Sequence, residues 1–341
     1  MPEDYISCPF IEKGLTFAPD GLYACSLPLH GLAGWPFLGQ YDGGPLPIDA
    51  ILRKRETLRH QLNHGESNSC DGCDYFLSRK AWQDEPDYLF DNLNIEHYTT
   101  CNLRCAYCCW ATTHKAAYGR NPYPLLPVFQ QLMDNKWMSP AGSVFWGGGE
   151  PALLGEFPDC LAYMRSFGVR HDISSNATVF SQALHDALKD PSVSLMVSVD
   201  AGARETYAAM KTQDLLPRVW DNVEAYGATG GRLMLKYIVT DSNNNVKEFE
   251  AFVNEAGRRK LLRCLFFVDM SHEHSHVSEE VIQGMARLAN MLEDAGASVV
   301  AGVHGNHTLP RQMVRSRVMQ WKELQRLRSQ MENNQRTQVS K

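Results

Sequence analysis

From about residue 90 onward the chain alternates strand-like and helix-like segments, and no other feature limits its fold as strongly. Apolar or alternating runs such as "LNIEHY", "SVFWGG", "VRHDISSN", "SLMVSVD", "LMLKYIVT" and "LLRCLFFVDM" are separated by stretches of helical periodicity, among them "LLPVFQQLMDN", "SQALHDALKD" and "VKEFEAFVNEAGR". A seventh short apolar run, "SVVAGVHG", follows. Repeated strand–helix units imply a parallel sheet with right-handed crossovers, hence an α/β protein. Six such units predict a full or partial barrel, or an open doubly wound sheet. In either case active-site groups gather at the C-terminal ends of the strands. With 341 residues and 44% apolar content, the chain can bury one large domain and a smaller one.

The first 85 or so residues differ. They are rich in Gly and Pro ("PLHGLAGWPFLGQYDGGPLP") and contain one helical stretch, "IDAILRKRETLRHQLNHG". So loop-rich a segment has little core of its own, and a metal site would supply the missing stability. From about Pro310 a single helical pattern carries an apolar stripe of Val314, Val318, Trp321, Leu324, Leu327 and Met331. It is expected to dock on the body with its basic face in water. The expected organisation is a small metal-binding module over 1–86, a barrel over 87–305 and a helical tail over 306–341.

Formal net charge is −6, which does not suggest a nucleic-acid-binding surface. No run approaches the roughly 18 apolar residues of a membrane helix. The opening "MPEDYISCPF" has no apolar run of the kind a secretory signal needs. A soluble, cytoplasmic protein is expected.

In a compartment that keeps thiols reduced, ten cysteines, eight of them clustered, point to metal or redox chemistry before disulfides. Cys160 and Cys264 stand apart and read as small buried apolar residues. In "HYTTCNLRCAYCCW", Cys101, Cys105 and Cys108 follow the first strand with three and two residues between them. Three thiolates on one loop can bind three irons of a cubane cluster and leave the fourth iron open. Zinc, the competing metal, usually takes a cysteine pair plus a second pair, and no matching second pair follows.

This spacing, with an aromatic residue, Tyr107, just before the third cysteine, resembles the radical S-adenosylmethionine (radical SAM) superfamily. The resemblance extends over residues 90–305. "WGGGEP" at the end of the second strand looks like the family's glycine-glycine-glutamate motif, with Gly148, Gly149 and Glu150 at the matching positions. It implies a partial (β/α)6 TIM-like barrel with the cluster loop over its top. It also implies a 4Fe–4S cluster on Cys101, Cys105 and Cys108, with S-adenosylmethionine chelating the open iron. Tyr107 would shield the adenine, the glycines would leave room for the methionyl group, and Cys109 would be a bystander. At the third strand end, "SSN" puts Asn176 near the ribose, and at the fourth, "VSVDAG" puts Ser198 and Asp200 toward cofactor or substrate. Lys236 lies in the fifth strand.

Cys8 and Cys25 flank a hairpin with "PDG" at its turn, and "SNSCDGC" supplies Cys70 and Cys73. Four such thiolates could form a zinc ribbon-like site. "DGLYAC", "LRHQLNHG" and "CDGC" also resemble, in order, the SPASM and twitch modules of radical enzymes, which implies an auxiliary 4Fe–4S cluster. Unlike those modules, this one precedes the barrel and has only four cysteines. A fully ligated cluster favours electron transfer, hence oxidation, dehydrogenation or peptide modification of a small-molecule or peptide substrate. A flavodoxin- or ferredoxin-type donor would supply the electron. The rival class is a non-catalytic iron–sulfur or zinc protein acting as carrier or scaffold. "SHEHSH" (His272, His274, His276), with His304 and His307, adds histidines at the catalytic end whose role is open.

Overall fold

The computed structural model describes residues 6–25, 36–70, 77–78, 88–112, 114–270, 278–301 and 317–327. Cys73, His272, His274, His276, His304 and His307 lie outside them. The chain divides into two compact units, one of residues 1–196 with 229–232, the other of 197–228 with 233–341.

The first unit opens with β1 (Ile6–Ser7), α1 (Pro9–Lys13), β2 (Gly14–Ala18), β3 (Gly21–Tyr23), β4 (Phe37–Gly39), α2 (Ile48–His64) and β5 (Leu77–Ser78). It continues through β6 (Phe90–Ile95), α3 (Cys109–Thr112), α4 (Leu126–Asp134), β7 (Met138–Trp146), α5 (Phe157–Ser166), β8 (Arg170–Ser175) and α6 (Gln182–Ala187). β9 (Val193–Ser198) begins in this unit and ends in the other. Its main sheet runs β4-β3-β2-β6-β7-β8. β6, β7 and β8 are parallel, as a βα repeat demands, and β2 also lies parallel beside β6, with Gly14 opposite Asn92 and Thr16 opposite Asn94. The N-terminal hairpin thus extends the barrel-type sheet at its first strand. Arg55 of α2 fastens this edge: its buried guanidinium donates to the carbonyls of Glu12, Gly14 and Leu89 and lies 4.8 Å from the centre of the Phe90 ring. The hairpin turn and α2 fall where the sequence predicts them, and α2 ends on Gly65 at φ 68°, a left-handed cap suited to glycine.

Apolar positions alternate along the strands and pack under the helices. Trp146, at the end of β7, is fully buried between Phe129 and Phe157, and its indole N–H donates to His171 Nδ1 at 3.0 Å.

The second unit holds α7 (Arg204–Lys211), α8 (Leu216–Ala228), β10 (Arg232–Val239), α9 (Val246–Arg258), β11 (Leu265–Met270), α10 (Glu279–Asp294) and β12 (Ser298–Ala301). β10, β11 and β12 are parallel neighbours. Asn245 and Ser278 cap α9 and α10 with side-chain oxygens, as residues of these types do. Residues 317–327 are helical and dock on α10, where Asn290 Nδ2 donates to the Lys322 carbonyl at 3.0 Å. Among the described residues the strand order does not close on itself in either unit. Among the described residues no helix is long and apolar enough to cross a membrane.

Candidate functional site

β6 leads into the cysteine loop, and β7 leads into the glycines beside it. Past the strand ends the two segments stay paired: the N–H of Gly147 donates to Ile95 O (3.0 Å), that of Gly149 to Tyr98 O (2.8 Å) and that of Glu150 to Thr100 O (2.9 Å). This contact explains the glycines. At Gly148, φ is 78°, and a Cβ would meet the carbonyls of Tyr98 and Glu96. At Gly149 a Cβ would strike the Thr100 carbonyl and lie 2.9 Å from its amide nitrogen. The sequence suggests that glycine leaves space here for a ligand. In the structure, the backbone of residues 98–100 occupies the space a side chain would need.

Glu150 is buried. Its carboxylate accepts from Asn176 N (2.7 Å), Ser175 Oγ (2.8 Å) and Ala152 N (3.1 Å). Burial pushes its pKa up to about 7 against the pull of those hydrogen bonds. Asn176 then donates through Nδ2 to Cys101 Sγ (3.5 Å) and to Asn102 Oδ1 (3.2 Å). A continuous polar chain therefore joins the Gly-Gly-Glu turn, the end of β8 and the first cysteine.

The loop itself is held firmly. Tyr118 donates its hydroxyl to the carbonyls of Cys101 (3.0 Å) and Leu103 (2.6 Å), while the Arg104 guanidinium sits 5.3 Å from the Tyr118 ring centre. A turn brings Cys108 N to Cys105 O at 3.0 Å, and α3 starts at Cys109. Cys101, Cys105, Cys108 and Tyr107 are all partly exposed. Burial pushes the Cys101 thiol up to about 12; the Leu103 N–H opposes this, and nearby Glu150, Cys105 and Cys108 reinforce it. A bound metal reverses that tendency, since a coordinating thiol is deprotonated outright. Among the described residues no three metal-ligating side chains converge on a single ion. A cubane takes one thiolate per iron, so three thiols spread along one loop fit it better than they fit zinc.

Ser198 and Asp200 belong to the second unit. Asp200 is fully buried; Oδ2 pairs with Lys211 Nζ (2.5 Å) and Oδ1 accepts from Ile238 N (2.7 Å). Asn243 Nδ2 donates to its carbonyl at 2.8 Å. Asp200 thus ties together the ends of β9 and β10. Ser198 is half-buried, its carbonyl accepting from Lys211 Nζ at 3.3 Å, and Lys236 is half-buried in β10.

In the N-terminal segment, Cys8 caps α1 by accepting from Ile11 N at 3.4 Å. Cys8 packs with Ile11 and Cys70 in one buried cluster, edged by Phe10 and Leu62. Cys25 is buried just beyond β3.

Three residues of the site were not picked out by motif: Tyr118, Tyr98 and Glu96. Tyr98 is fully buried beside Glu150, Glu96 and Cys101, and burial followed by those charges pushes its phenol well above its usual range. Glu96 had a readable signal. Asn92 and Asn94 of β6 and Glu96 just past its end alternate in sequence and so put three polar side chains on one face.

Fold and site together describe a parallel α/β protein that carries a three-cysteine loop at its strand ends. A model of the radical SAM superfamily matches residues 95–256. The chain is 27% identical over 172 residues to Fe-coproporphyrin III synthase of Methanosarcina barkeri, covering 49% of this chain and 41% of that protein. It is 23% identical over 213 residues to GTP 3',8-cyclase of Helicobacter pylori, covering 60% and 65%. The chain therefore spans less than two thirds of these relatives' length. Streptococcus suis SuiB bound to S-adenosylmethionine superposes with a TM-score of 0.50 at 15% identity, covering 79% of this chain and 58% of that one, a likeness of fold. Over residues 95–256, just under half of its length, the chain matches the radical SAM superfamily. That family implies a 4Fe–4S cluster and S-adenosylmethionine.

Proposed function

We propose that this chain is a radical SAM enzyme whose Cys101, Cys105 and Cys108 hold a 4Fe–4S cluster. Tyr107, Gly148, Gly149, Glu150 and Asn176 would form the S-adenosylmethionine side of the site. When bound, cluster and cofactor supply reductive cleavage to methionine and a 5'-deoxyadenosyl radical that abstracts a substrate hydrogen. The chain's own residues position the parts and exclude water. The observation that carries this reading is the chain from Glu150 through Asn176 to Cys101 Sγ, which couples the cofactor-side turn to the first cluster ligand.

The finer reading is an oxidation, dehydrogenation or peptide modification assisted by an auxiliary cluster on Cys8, Cys25, Cys70 and Cys73, within a module over residues 1–86. The barrel core would be 87–305 and the tail 306–341. The shared burial of Cys8 and Cys70 supports that module. Ser198 and Asp200 are retained as candidates for contact with cofactor or substrate, a flavodoxin- or ferredoxin-type protein as electron donor, and the cytoplasm as location.

Purified anaerobically with dithionite and S-adenosylmethionine, the protein should release 5'-deoxyadenosine. Changing Cys101, Cys105 or Cys108 to Ala should abolish release, whereas Cys109→Ala should retain most of it. A wild type that holds iron yet releases none is a carrier or scaffold. A live Cys108 variant beside a dead Cys109 variant would move the third ligand.

A further inference from the structure

A cavity of about 80 Å³ lies among Gly14 and Thr16 of β2, Asn92 and Asn94 of β6, and Ser143 and Phe145 of β7. These residues share one face, since Gly14 pairs with Asn92 and Asn92 with Ser143, while Thr16 pairs with Asn94 and Asn94 with Phe145. The volume is several times the roughly 15 Å³ that one water needs, so a small polar group fits. The cavity wall is mixed: Phe10, Leu15, Ala24 and Leu93 line it as well, and its polar groups are incompletely satisfied. Ser143 donates to Asn92 Oδ1 at 2.9 Å, and Asn94 Nδ2 donates to Glu96 Oε1 at 2.6 Å. Asn94 Oδ1, in a side chain 5% exposed, has no hydrogen-bond partner among the described residues.

Two residues further on, Glu96 abuts the glycine turn: its Cγ lies 3.4 Å from where a Gly147 Cβ would be. No described cation pairs with it. An orphan amide oxygen beside an unpaired carboxyl lacks a donor, and a cationic donor satisfies both at once. Burial holds the Glu96 carboxyl at about 7, against the pull of the Asn94 amide, as expected where the countercharge is missing. Glu96 also lies close enough to Cys109 to raise that thiol. Glu96, bonded to the Asn94 of the cavity wall, therefore stands between the cavity and the cysteine loop.

We propose that this cavity seats a primary ammonium group of the substrate, paired with Glu96 and hydrogen-bonded to Asn94 Oδ1. The proposal rests on the enzymatic function above and names the substrate class as an amine. The test uses n-propylammonium chloride on the anaerobically reconstituted full chain, with binding followed by ligand-observed NMR and n-propanol as the uncharged control. The wild type should bind the ammonium and not the alcohol. Glu96→Gln, which keeps the shape, should weaken binding by at least about ten-fold, and Asn94→Leu should abolish it; if Asn94→Leu does not fold, Glu96→Gln decides. Equal binding of propanol, undiminished binding to Glu96→Gln, or competitive displacement of propylammonium by S-adenosylmethionine would overturn the proposal. Displacement would mean that the seat belongs to the cofactor's own ammonium. Release of 5'-deoxyadenosine without propylammonium binding defeats this inference alone. Binding without release defeats the enzymatic reading instead.

Discussion

Glu150 shows how a motif residue works through its hydrogen bonds. It accepts from two backbone amides and a hydroxyl while buried, so its amide analogue would turn a donor toward a donor. Glu150→Gln should lower unfolding free energy in urea by about 1–3 kcal/mol and weaken S-adenosylmethionine binding, because Asn176 loses its anchor. Unchanged binding would make the network purely structural. His171 offers a test of burial. Its Nδ1 accepts from Trp146, and burial lowers its pKa to about 3, with Arg165 acting in the same direction and Asp190 opposing. The unfolded histidine takes a proton below about 6.5, whereas the folded one stays neutral until about 3. Unfolding therefore takes up a proton in that window, and stability falls as pH falls. Relative to His171→Gln, which keeps an acceptor for Trp146, the wild type should lose about 1.4 kcal/mol per pH unit below about pH 6.5. Denaturant titrations at several pH values would show a parallel pair of curves if His171 were not buried neutral.

At the scale of elements, the pairing of the cysteine loop with the glycine turn makes two motifs one structure. Because a Gly149 Cβ collides with the Thr100 backbone rather than with open space, Gly149→Val should displace the segment leading into Cys101. Iron and S-adenosylmethionine binding should then fall together in the purified variant. Normal iron with cofactor binding lost would instead restore the simpler view that glycine leaves room for the ligand. The parallel register of β2 beside β6 is of the same kind. It places Thr16 opposite Asn94 and, with Arg55 behind it, makes the N-terminal segment one wall of the candidate amine cavity.

For the whole molecule, the open question is how many clusters it carries. Cys8 and Cys70 are gathered around Ile11, apart in sequence from the triad at 101–108. If the N-terminal cysteines hold a second cubane, reconstituted wild type should contain about eight irons, twice the four of one cubane. A variant with Cys70 and Cys73 changed to Ala should fall to about half that iron and still release 5'-deoxyadenosine. Stoichiometric zinc with a single cluster's worth of iron would make the module a zinc site. Circular dichroism of the variant separates loss of a cluster from loss of folding, since a metal can supply most of a small module's stability.

Much of this was legible in the chain because it is local. Strand and helix periods, the three-two cysteine spacing, the Gly-Gly-Glu turn, the "SSN" at a strand end and the glycine after α2 are each contained within a few residues. Backbone geometry and side-chain type suffice to read them. Motif spacing says nothing of how distant segments meet. That Gly14 pairs with Asn92, that Arg55 closes the sheet edge, and that Asn176 bridges Glu150 to Cys101 are results of packing across tens of residues. Asp200 is the sharpest case. Its place at a strand end suggests a ligand-facing group, yet a buried carboxylate needs a countercharge, and Lys211 supplies one within hydrogen-bond reach. Glycine at 149 is visible in the sequence as a need for space. Only the tertiary structure decides that the space is filled by the backbone of Thr100, because close approach of two main chains depends on register and not on composition.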